Sequence, residues 1–227
     1  RAGYKHIIVP VSRFVFPPNL RNVPRALLST FKGSPSLRKT LRRVSTSIPR
    51  LVSIKEEPSD RSFVELSENL HGIERLWKSF FEENDCITLE RTPDYLSWRI
   101  VGNPIVPHNI FAVERGDQIS AYLSLAVRDS SECLMVDMLT LKDSLEDLRI
   151  LLHRALTLLK GKSSLVTTWL TKNKVSAGYA RMLCHTGFVE LPESRMDMLV
   201  KTFDLSEEYS ANVENWLINP IFTEGIS

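Results

Sequence analysis

The segment Arg91-Thr-Pro-Asp-Tyr-Leu-Ser-Trp-Arg-Ile-Val-Gly-Asn-Pro104 carries its own start and stop signals for a short helix. Thr92 is a favourable N-cap, and Pro93 fits the first helical position. Asp94 adds a carboxylate where the first turn has free N–H groups. Gly102-Asn-Pro104 then ends the helix. The segment therefore predicts a bounded helix, and the order of elements around it indicates the fold.

Hydrophobic periodicity predicts the elements on both sides of this segment. A short strand at 63–66 and a helix come before it, and the apolar stripe of that helix is Ile73, Leu76, Trp77, Phe80 and Phe81. Strands at 109–114 and 118–128 follow, joined by the hairpin signal Gly116-Asp117. The pattern continues with a strand at 133–139, a helix at 144–160, a strand at 165–170, a helix at 174–186 and a strand at 195–203. The residues of the first of these helices that we predict to face inward are Leu148, Leu151, Leu152, Ala155, Leu156 and Leu159. Gly187 fits the C-terminal cap of the second of those helices.

Charge is distributed unevenly along the chain. Residues 1–55 hold 12 Lys/Arg and no Asp/Glu, whereas the remainder holds 17 Lys/Arg against 27 Asp/Glu. The basic arm can dock on the acidic body, on an anionic membrane surface or on nucleic acid. Within it, residues 1–16 indicate a strand or hairpin, 19–44 one or two short basic amphipathic helices, and 45–61 a linker. No interleaving of aromatic and basic residues marks a nucleic-acid surface, so no nucleic acid is expected.

Composition limits the classes that fit. A chain of 227 residues with 43% hydrophobic content can bury a full core, and no apolar run reaches the ~20 residues that cross a bilayer. Cys86, Cys133 and Cys184 form an odd, widely spaced set without a Cys-x-x-Cys pair. This favours reduced thiols in a cytoplasmic setting over disulfides, and no metal site is expected. Because the chain begins with Arg1, we expect a fragment or a processed product.

The predicted order, β-α-α-β-β-β-α-β-α-β, resembles the GNAT superfamily of N-acetyltransferases. The closest likeness is to tandem-GNAT proteins linked to polysaccharide synthesis, which carry a similar Arg…Tyr-Leu-x-Trp-Arg…Pro segment; the matching residues are Arg91, Tyr95, Leu96, Trp98, Arg99 and Pro104. The acidic-apolar strand end at 136–139 and the Gly187-Phe188 step after a helix are also similar. The resemblance implies an α/β (α+β) fold with a central mixed, mostly antiparallel sheet flanked by helices.

The resemblance also implies a domain organisation. Residues 1–16 look like the terminal strand of a truncated preceding GNAT domain, and 17–62 would be a basic linker. Residues 63–205 would form the GNAT-like domain, and 206–227 a C-terminal tail with Trp216 and Ile221-Phe222 as packing anchors. On this interpretation a first domain is missing from the chain.

In the resembled family, acyl-CoA binds where two central strands separate, and its pyrophosphate contacts a glycine-bearing loop before a helix. The corresponding residues here are Leu139, Thr140, Leu141, Lys142 and Ser144, and the loop has no glycine. Asp143 or Ser144 would cap the helix, and Asp143, Glu146 and Asp147 would repel a pyrophosphate. Each such pair at ~5 Å costs roughly 3 kcal/mol at an effective dielectric of ~20. Acetyl-CoA as co-substrate is therefore disfavoured in its usual pose.

The resemblance implies few catalytic groups. The family's general acid, a tyrosine four residues before the glycine, corresponds here to Leu183, which cannot donate a proton. Tyr179 lies one turn earlier and is the substitute candidate, with a core position as the alternative. Asp137 could act as a base if burial raised its pKa, with a structural pair to Arg99 as the alternative.

The aromatic pair in the opening segment is a candidate acceptor pocket. Helical spacing places Tyr95 beside Trp98 and Arg99, where these side chains could wall a pocket for a sugar or peptide amine. Aromatic residues at helical spacing are more often core, and both interpretations stay open.

Three hypotheses follow for function. The first is an N-acetyltransferase-family protein that transfers an acyl group from acyl-CoA to an amine, with the missing domain as partner. The second is a degenerate, non-catalytic GNAT-like module that binds acceptor or forms an interdomain or homodimer interface. The third is membrane or polyanion binding by the basic arm, which predicts strongly salt-dependent association.

Overall fold

The computed structural model describes residues 5–16, 60–66, 70–127, 132–159, 163, 165–191, 194–200 and 206–222. The predicted helices at 19–44 and nearly all of the predicted linker lie outside these residues. The strands are β1 Lys5–Phe16, β2 Ser62–Leu66, β3 His108–Arg115, β4 Gln118–Val127, β5 Glu132–Thr140, β6 Leu165–Thr171, β7 Val189–Glu190 and β8 Ser194–Val200. The α-helices are α1 His71–Glu83, α2 Pro93–Leu96, α3 Leu145–Leu159, α4 Ser176–Thr186 and α5 Glu207–Ala211.

The described strands form one eight-stranded sheet in the order β2-β3-β4-β5-β6-β1-β7, with β8 also paired to β1. All pairings are antiparallel except that of β5 with β6. Helices pack on the sheet, and α3 contacts β3, β4 and β5. The sheet is therefore mixed and mostly antiparallel, as the sequence predicts.

Strand β1 lies inside this sheet. Its second half pairs with β6, from Val11 opposite Thr171 to Phe16 opposite Val166. Its first half pairs with β8, from Lys5 opposite Val200 to Val11 opposite Ser194. Residues 5–16 thus form a single strand, not a hairpin, and belong physically to the sheet built by residues 62–200. That this strand ends a preceding domain stays a prediction.

The local signals in the opening segment are confirmed. The Thr92 side chain accepts a hydrogen bond from the Tyr95 N–H at 3.2 Å, and Pro93 occupies the first turn of α2. The helix continues as a π-helical turn over Ser97–Val101, and Gly102 ends it. The segment is thus a capped two-part helix.

Among the described residues, the two glycines with positive φ stand where the sequence predicts turns. Gly116 joins β3 to β4 with φ 58°, and Gly187 caps α4 with φ 104°. A side chain is strained in this conformation, so glycine is required at both places.

The core follows the predicted stripes with one correction. The apolar residues predicted to face inward on α3 are all buried: Leu148, Leu151, Leu152, Ala155, Leu156 and Leu159. On α1, Ile73, Leu76 and Phe80 are buried. Phe81 is 49% exposed and stacks on Trp77 with ring centroids 5.5 Å apart. Phe81 therefore lies at the edge of the stripe. No helix among the described residues is long and apolar enough to cross a membrane.

Candidate functional site

The central strands β5 and β6 separate after a short parallel start. Among the residues that the structure describes, they pair at Glu132 with Leu165, Cys133 with Val166 and Leu134 with Thr167. Beyond that point the Thr168 hydroxyl donates to the Met135 carbonyl at 3.0 Å, so a side chain spans the widening gap. The strands thus leave backbone groups of β5 without a strand partner, as the resemblance predicts.

A cavity of ≈ 330 Å³ lies at the open end of the gap. It is bounded by the end of α1, the β5–α3 loop and the first half of α4. The lining residues are Phe80, Glu83, Asn84, Thr140, Leu141, Lys142, Leu145, Lys174, Val175, Gly178, Tyr179 and Arg181. We call this space the cation cavity, after Lys142, Lys174 and Arg181.

The predicted donor-binding residues divide between this cavity and the core. Thr140, Leu141 and Lys142 line the cavity. Leu139 is fully buried in the hydrophobic core and does not line it. Ser144 is also outside the lining, and its N–H donates to the Leu141 carbonyl at 3.0 Å.

The predicted repulsion of a phosphate by acidic residues needs correction. Asp147 is fully buried and forms ion pairs with Arg61 at 3.0 Å and Arg115 at 2.6 Å. Glu146 pairs with Arg149 at 2.5 Å. The 3₁₀ turn Lys142–Ser144 starts without a side-chain cap hydrogen bond. The cap of α3 by Asp143 or Ser144 stays a prediction. Two of the three carboxylates are therefore neutralised within the protein.

The sequence analysis did not identify two of the cavity's cations, Lys174 and Arg181, as candidate site residues. Lys174 lies two residues before the first residue of α4, whereas Arg181 lies within α4. In the helix that the sequence predicts at 174–186, their spacing of seven residues places both on one face. That spacing does not show which cavity the two residues line.

Asp137 lies on β5 and is 1% exposed. Its carboxylate accepts from Arg91 Nε and Nη2, both at 3.1 Å, and from the hydroxyl of Tyr122. Asn219 Nδ2 and the Met138 N–H complete the shell. We call Arg91, Tyr122, Asp137 and Asn219 the Asp137 network.

The buried partner of Asp137 is Arg91, which corrects the alternative that paired it with Arg99. Arg91 also donates from Nη1 to Thr88 Oγ1 at 3.0 Å and to the Leu89 carbonyl at 2.5 Å. Burial alone lowers the pKa of Arg91, but the charge of Asp137 outweighs it and the pKa is raised. The guanidinium thus stays charged and paired. Every interaction of this carboxylate is internal to the protein.

Tyr179 is buried in the wall of the cation cavity. Its hydroxyl donates to the Thr140 carbonyl at 3.0 Å and accepts from the Thr140 N–H at 3.2 Å. Burial raises the pKa of Tyr179, so the hydroxyl stays protonated at neutral pH. Tyr179 therefore occupies both backbone groups of one residue on β5 beside the gap.

The start of α4 is fixed by a reciprocal pair. The Ser176 N–H donates to Asn173 Oδ1 at 2.7 Å, and the Asn173 N–H donates to Ser176 Oγ at 3.0 Å. Asn173 also reaches the Trp216 carbonyl. Leu183, at the position of the family's acid, is fully buried. These residues position the helix and offer no proton donor to the cavity.

The predicted acceptor residues form a surface cluster. The rings of Tyr95 and Trp98 have centroids 5.9 Å apart, and the Arg99 guanidinium lies 6.0 Å from the Trp98 ring centroid. The predicted neighbourhood is confirmed. Trp98 is 69% exposed, and neither aromatic residue lines the cation cavity. Their role in acceptor binding stays a prediction.

The C-terminal segment reaches the diverging ends of β5 and β6. The Thr171 N–H donates to the Ile218 carbonyl at 3.0 Å, and the Leu217 N–H donates to the Ile87 carbonyl at 2.9 Å. The turn Pro220–Phe222 contacts both strands, and Asn219 joins the Asp137 network. This segment therefore packs against both strands where they diverge, next to Asp137.

The three cysteines are free, and burial raises the pKa of each thiol. Cys86 and Cys133 are buried, and burial raises their thiol pKa values to about 11 and about 12. Cys184 is exposed and burial still raises its pKa. Within the described parts of the chain, no group of three or more His, Cys, Asp or Glu side chains could hold a metal ion.

The structure is similar to several solved structures at low sequence identity. The N-myristoyltransferase of Saccharomyces cerevisiae, solved with bound myristoyl-CoA and inhibitors, matches with a TM-score of 0.53 and 11% identity, over 93% of this chain and 56% of that one. A functionally unknown conserved protein from Staphylococcus epidermidis matches with a TM-score of 0.50 and 8% identity, over 88% and 64%. A GCN5-related N-acetyltransferase from Anabaena variabilis matches with a TM-score of 0.49 and 11% identity, over 87% and 41%.

The likeness to the myristoyltransferase shows the fold of this chain. Together with the mixed sheet and its parallel β5–β6 start, it confirms the predicted acyl-CoA N-acyltransferase fold. The chain spans 41% to 64% of the length of those three proteins. No family model and no curated protein matches the sequence.

Proposed function

We propose that this chain binds an acyl-CoA thioester between β5 and β6 and serves N-acyl transfer to an amine. The observation that carries the proposal is the separation of these strands after three residue pairs, with the cation cavity at the open end. Two strands that separate leave room for an extended pantetheine arm, and a positively charged mouth suits the phosphates of CoA.

The transfer needs few groups from the protein. The amine nitrogen attacks the thioester carbonyl, a C–N bond forms and the C–S bond breaks, and the amine proton ends on the leaving thiolate. Asp137 is held by Arg91, so the amine must arrive neutral rather than lose its proton to this carboxylate. Tyr179 is protonated and lines the cavity, so it is our candidate proton donor to the thiolate.

The finer parts of this function belong to the same proposal. They are acetyl as the acyl group, an amino sugar or peptide amine as acceptor, a tandem arrangement of the polysaccharide-linked type, and a cytoplasmic setting. A membrane surface and a homodimer are further proposed contacts. Support comes from the sequence resemblance and from the cluster of Tyr95, Trp98 and Arg99, in which the exposed Trp98 ring offers an aromatic face to an acceptor.

Calorimetric titration with acetyl-CoA, and with desulfo-CoA as an unreactive analogue, tests the proposal. We expect micromolar to sub-millimolar binding of both, and an N-acyl product from a panel of amines detected by mass. Mass detection is preferable to thiol release because Cys184 is exposed and would react with a thiol reagent. Absence of binding at millimolar ligand would overturn the proposal for this chain.

A second candidate function is ligand binding without transfer. It is favoured because both candidate catalytic groups already hydrogen-bond within the protein. Asp137 accepts from Arg91, and the Tyr179 hydroxyl donates to the Thr140 carbonyl. Tyr179→Phe separates the two functions. An acid role predicts a lower kcat with little change in the affinity for desulfo-CoA, whereas a binding module shows no transfer by either form.

A further inference from the structure

The loop before α3, where the resembled family binds the pyrophosphate, differs in this chain from the family's pattern. The loop from Leu139 to Ser144 contains no glycine, and its 3₁₀ turn uses the Ser144 N–H internally, with the Leu141 carbonyl as acceptor. Exposed Asp143 stands within the same turn. The loop thus offers neither a glycine nor the Ser144 N–H to a phosphate, and it places the Asp143 carboxylate beside it.

The cation cavity offers side chains instead. Lys142 comes from the β5–α3 loop, Lys174 from the turn before α4, and Arg181 from α4 itself. All three are exposed, and none forms an ion pair with another residue that the structure describes. Of the lining residues, Glu83 is the acidic one. The cavity therefore keeps a net positive charge that faces water.

The positions of the cations suit a ligand with separated phosphates. Lys174 lies in the turn before α4, and Arg181 lies on the face of α4 that lines the cavity. A lysine is a point charge, whereas the planar arginine fork matches a phosphate with two parallel hydrogen bonds. The cavity thus presents two distinct anion-binding groups on this side, and Lys142 faces the same space from the β5–α3 loop.

Gly178 lies on this face between Lys174 and Arg181. A Cβ placed on it would meet Leu145 Cδ1 at 3.5 Å, an ordinary contact, so packing does not demand glycine here. Gly178 also lines the cation cavity, where a larger side chain would take up ligand space. Its absence of a side chain lets a ligand approach the helix closely.

We propose that Lys142, Lys174 and Arg181 bind the phosphate groups of the donor in the cation cavity through their side chains, rather than through backbone N–H groups at the start of α3. The inference rests on the proposed function, since it places the phosphates of the same acyl-CoA. In the resembled family, backbone N–H groups of a glycine-bearing loop bind these phosphates; in this chain, side chains would bind them. The ligand class is a pantetheine carried on a pyrophosphate.

The test compares ligands with and without phosphate. Wild type and the triple variant Lys142→Gln/Lys174→Gln/Arg181→Gln are titrated with acetyl-CoA and with phosphate-free N-acetylcysteamine or pantetheine. We expect the triple variant to lose on the order of tenfold in acetyl-CoA affinity for each cation removed. Its affinity for pantetheine should be unchanged. Wild-type acetyl-CoA affinity should also fall as salt rises, and this dependence should flatten in the variant.

Two further variants sharpen the result. Arg195→Gln removes an exposed arginine on β8 outside the cavity and should bind acetyl-CoA like wild type. Gly178→Leu keeps every charge but fills the helix face, so it should weaken acetyl-CoA binding while thermal unfolding shows a folded protein. Acetyl-CoA binding by the triple variant at wild-type affinity would overturn this inference and leave the proposed function standing. Failure of wild type to bind either ligand would overturn both.

Discussion

The Asp137 network and the cation cavity lie along one strand but handle charge in opposite ways. In the network, Arg91 and Asp137 are fully buried and each polar contact is made within the protein. In the cavity, Lys142, Lys174 and Arg181 face water beside one acidic residue, Glu83. Buried charges that are paired within the protein contribute to the stability of the fold but are unavailable to substrate. A charge that faces a cavity stays hydrated, so it loses little solvation free energy on folding and is available to a ligand.

The largest expected effect comes from breaking the network. Arg91→Met leaves the Asp137 carboxylate buried without its ion pair, which should lower the free energy of unfolding by about 3–5 kcal/mol. Urea unfolding measures it, with Arg195→Met as the control on an exposed arginine. The double variant Arg91→Met/Asp137→Leu should recover most of the loss, because an apolar pair needs no desolvation of charge. A loss in the double variant equal to the sum of the single losses would contradict this account.

A smaller effect is expected at the second buried carboxylate. Asp147→Asn removes the charge that holds Arg61 and Arg115, and should lower the free energy of unfolding by about 2 kcal/mol. Glu146→Gln on the same helix is the matched control, because its pair with Arg149 is half exposed and should contribute under about 1 kcal/mol. Equal losses in the two variants would show that burial does not decide the strength of these pairs.

The Tyr122 hydroxyl makes the contribution of the Asp137 network to the free energy of unfolding depend on pH. Burial, and then the charge of Asp137, raise the pKa of Tyr122 well above its ordinary value. Because the folded pKa exceeds the unfolded value of about 10, this stabilisation is present below pH ~10 and is lost as the pH rises further. Tyr122→Phe should cost about 1–1.5 kcal/mol at pH 7 and should reduce the alkaline loss of stability. Parallel decline of wild type and variant between pH 9 and 11 would contradict this assignment.

The smallest effect on stability is expected in the cation cavity. Lys174→Gln and Arg181→Gln should change the free energy of unfolding by less than about 0.5 kcal/mol, since neither cation pairs with a described carboxylate. Thermal unfolding of each variant checks this and serves the ligand titrations as a folding control. A loss above about 1.5 kcal/mol would make these cations structural and would remove the contrast between the two regions.

The sequence predicted much of the fold because local signals and periodicity agree here. The Thr92 cap, the Gly116 hairpin, the α3 stripe and the Gly187 cap depend on neighbours within a few residues, and each is confirmed. The resemblance suggested five donor-binding residues, and the structure places three of them, Thr140, Leu141 and Lys142, in one cavity, whereas Leu139 and Ser144 lie outside its lining.

Only the tertiary structure decided which distant groups meet. Arg91 and Asp137 are 46 residues apart, and β1 joins β6 across more than half of the chain. Nor could the loop sequence show that Asp147 turns inward to Arg61 and Arg115 while Lys174 and Arg181 turn toward Lys142. A side chain's local spacing fixes the face of its helix or strand, whereas the charges it encounters depend on which other elements pack against that face.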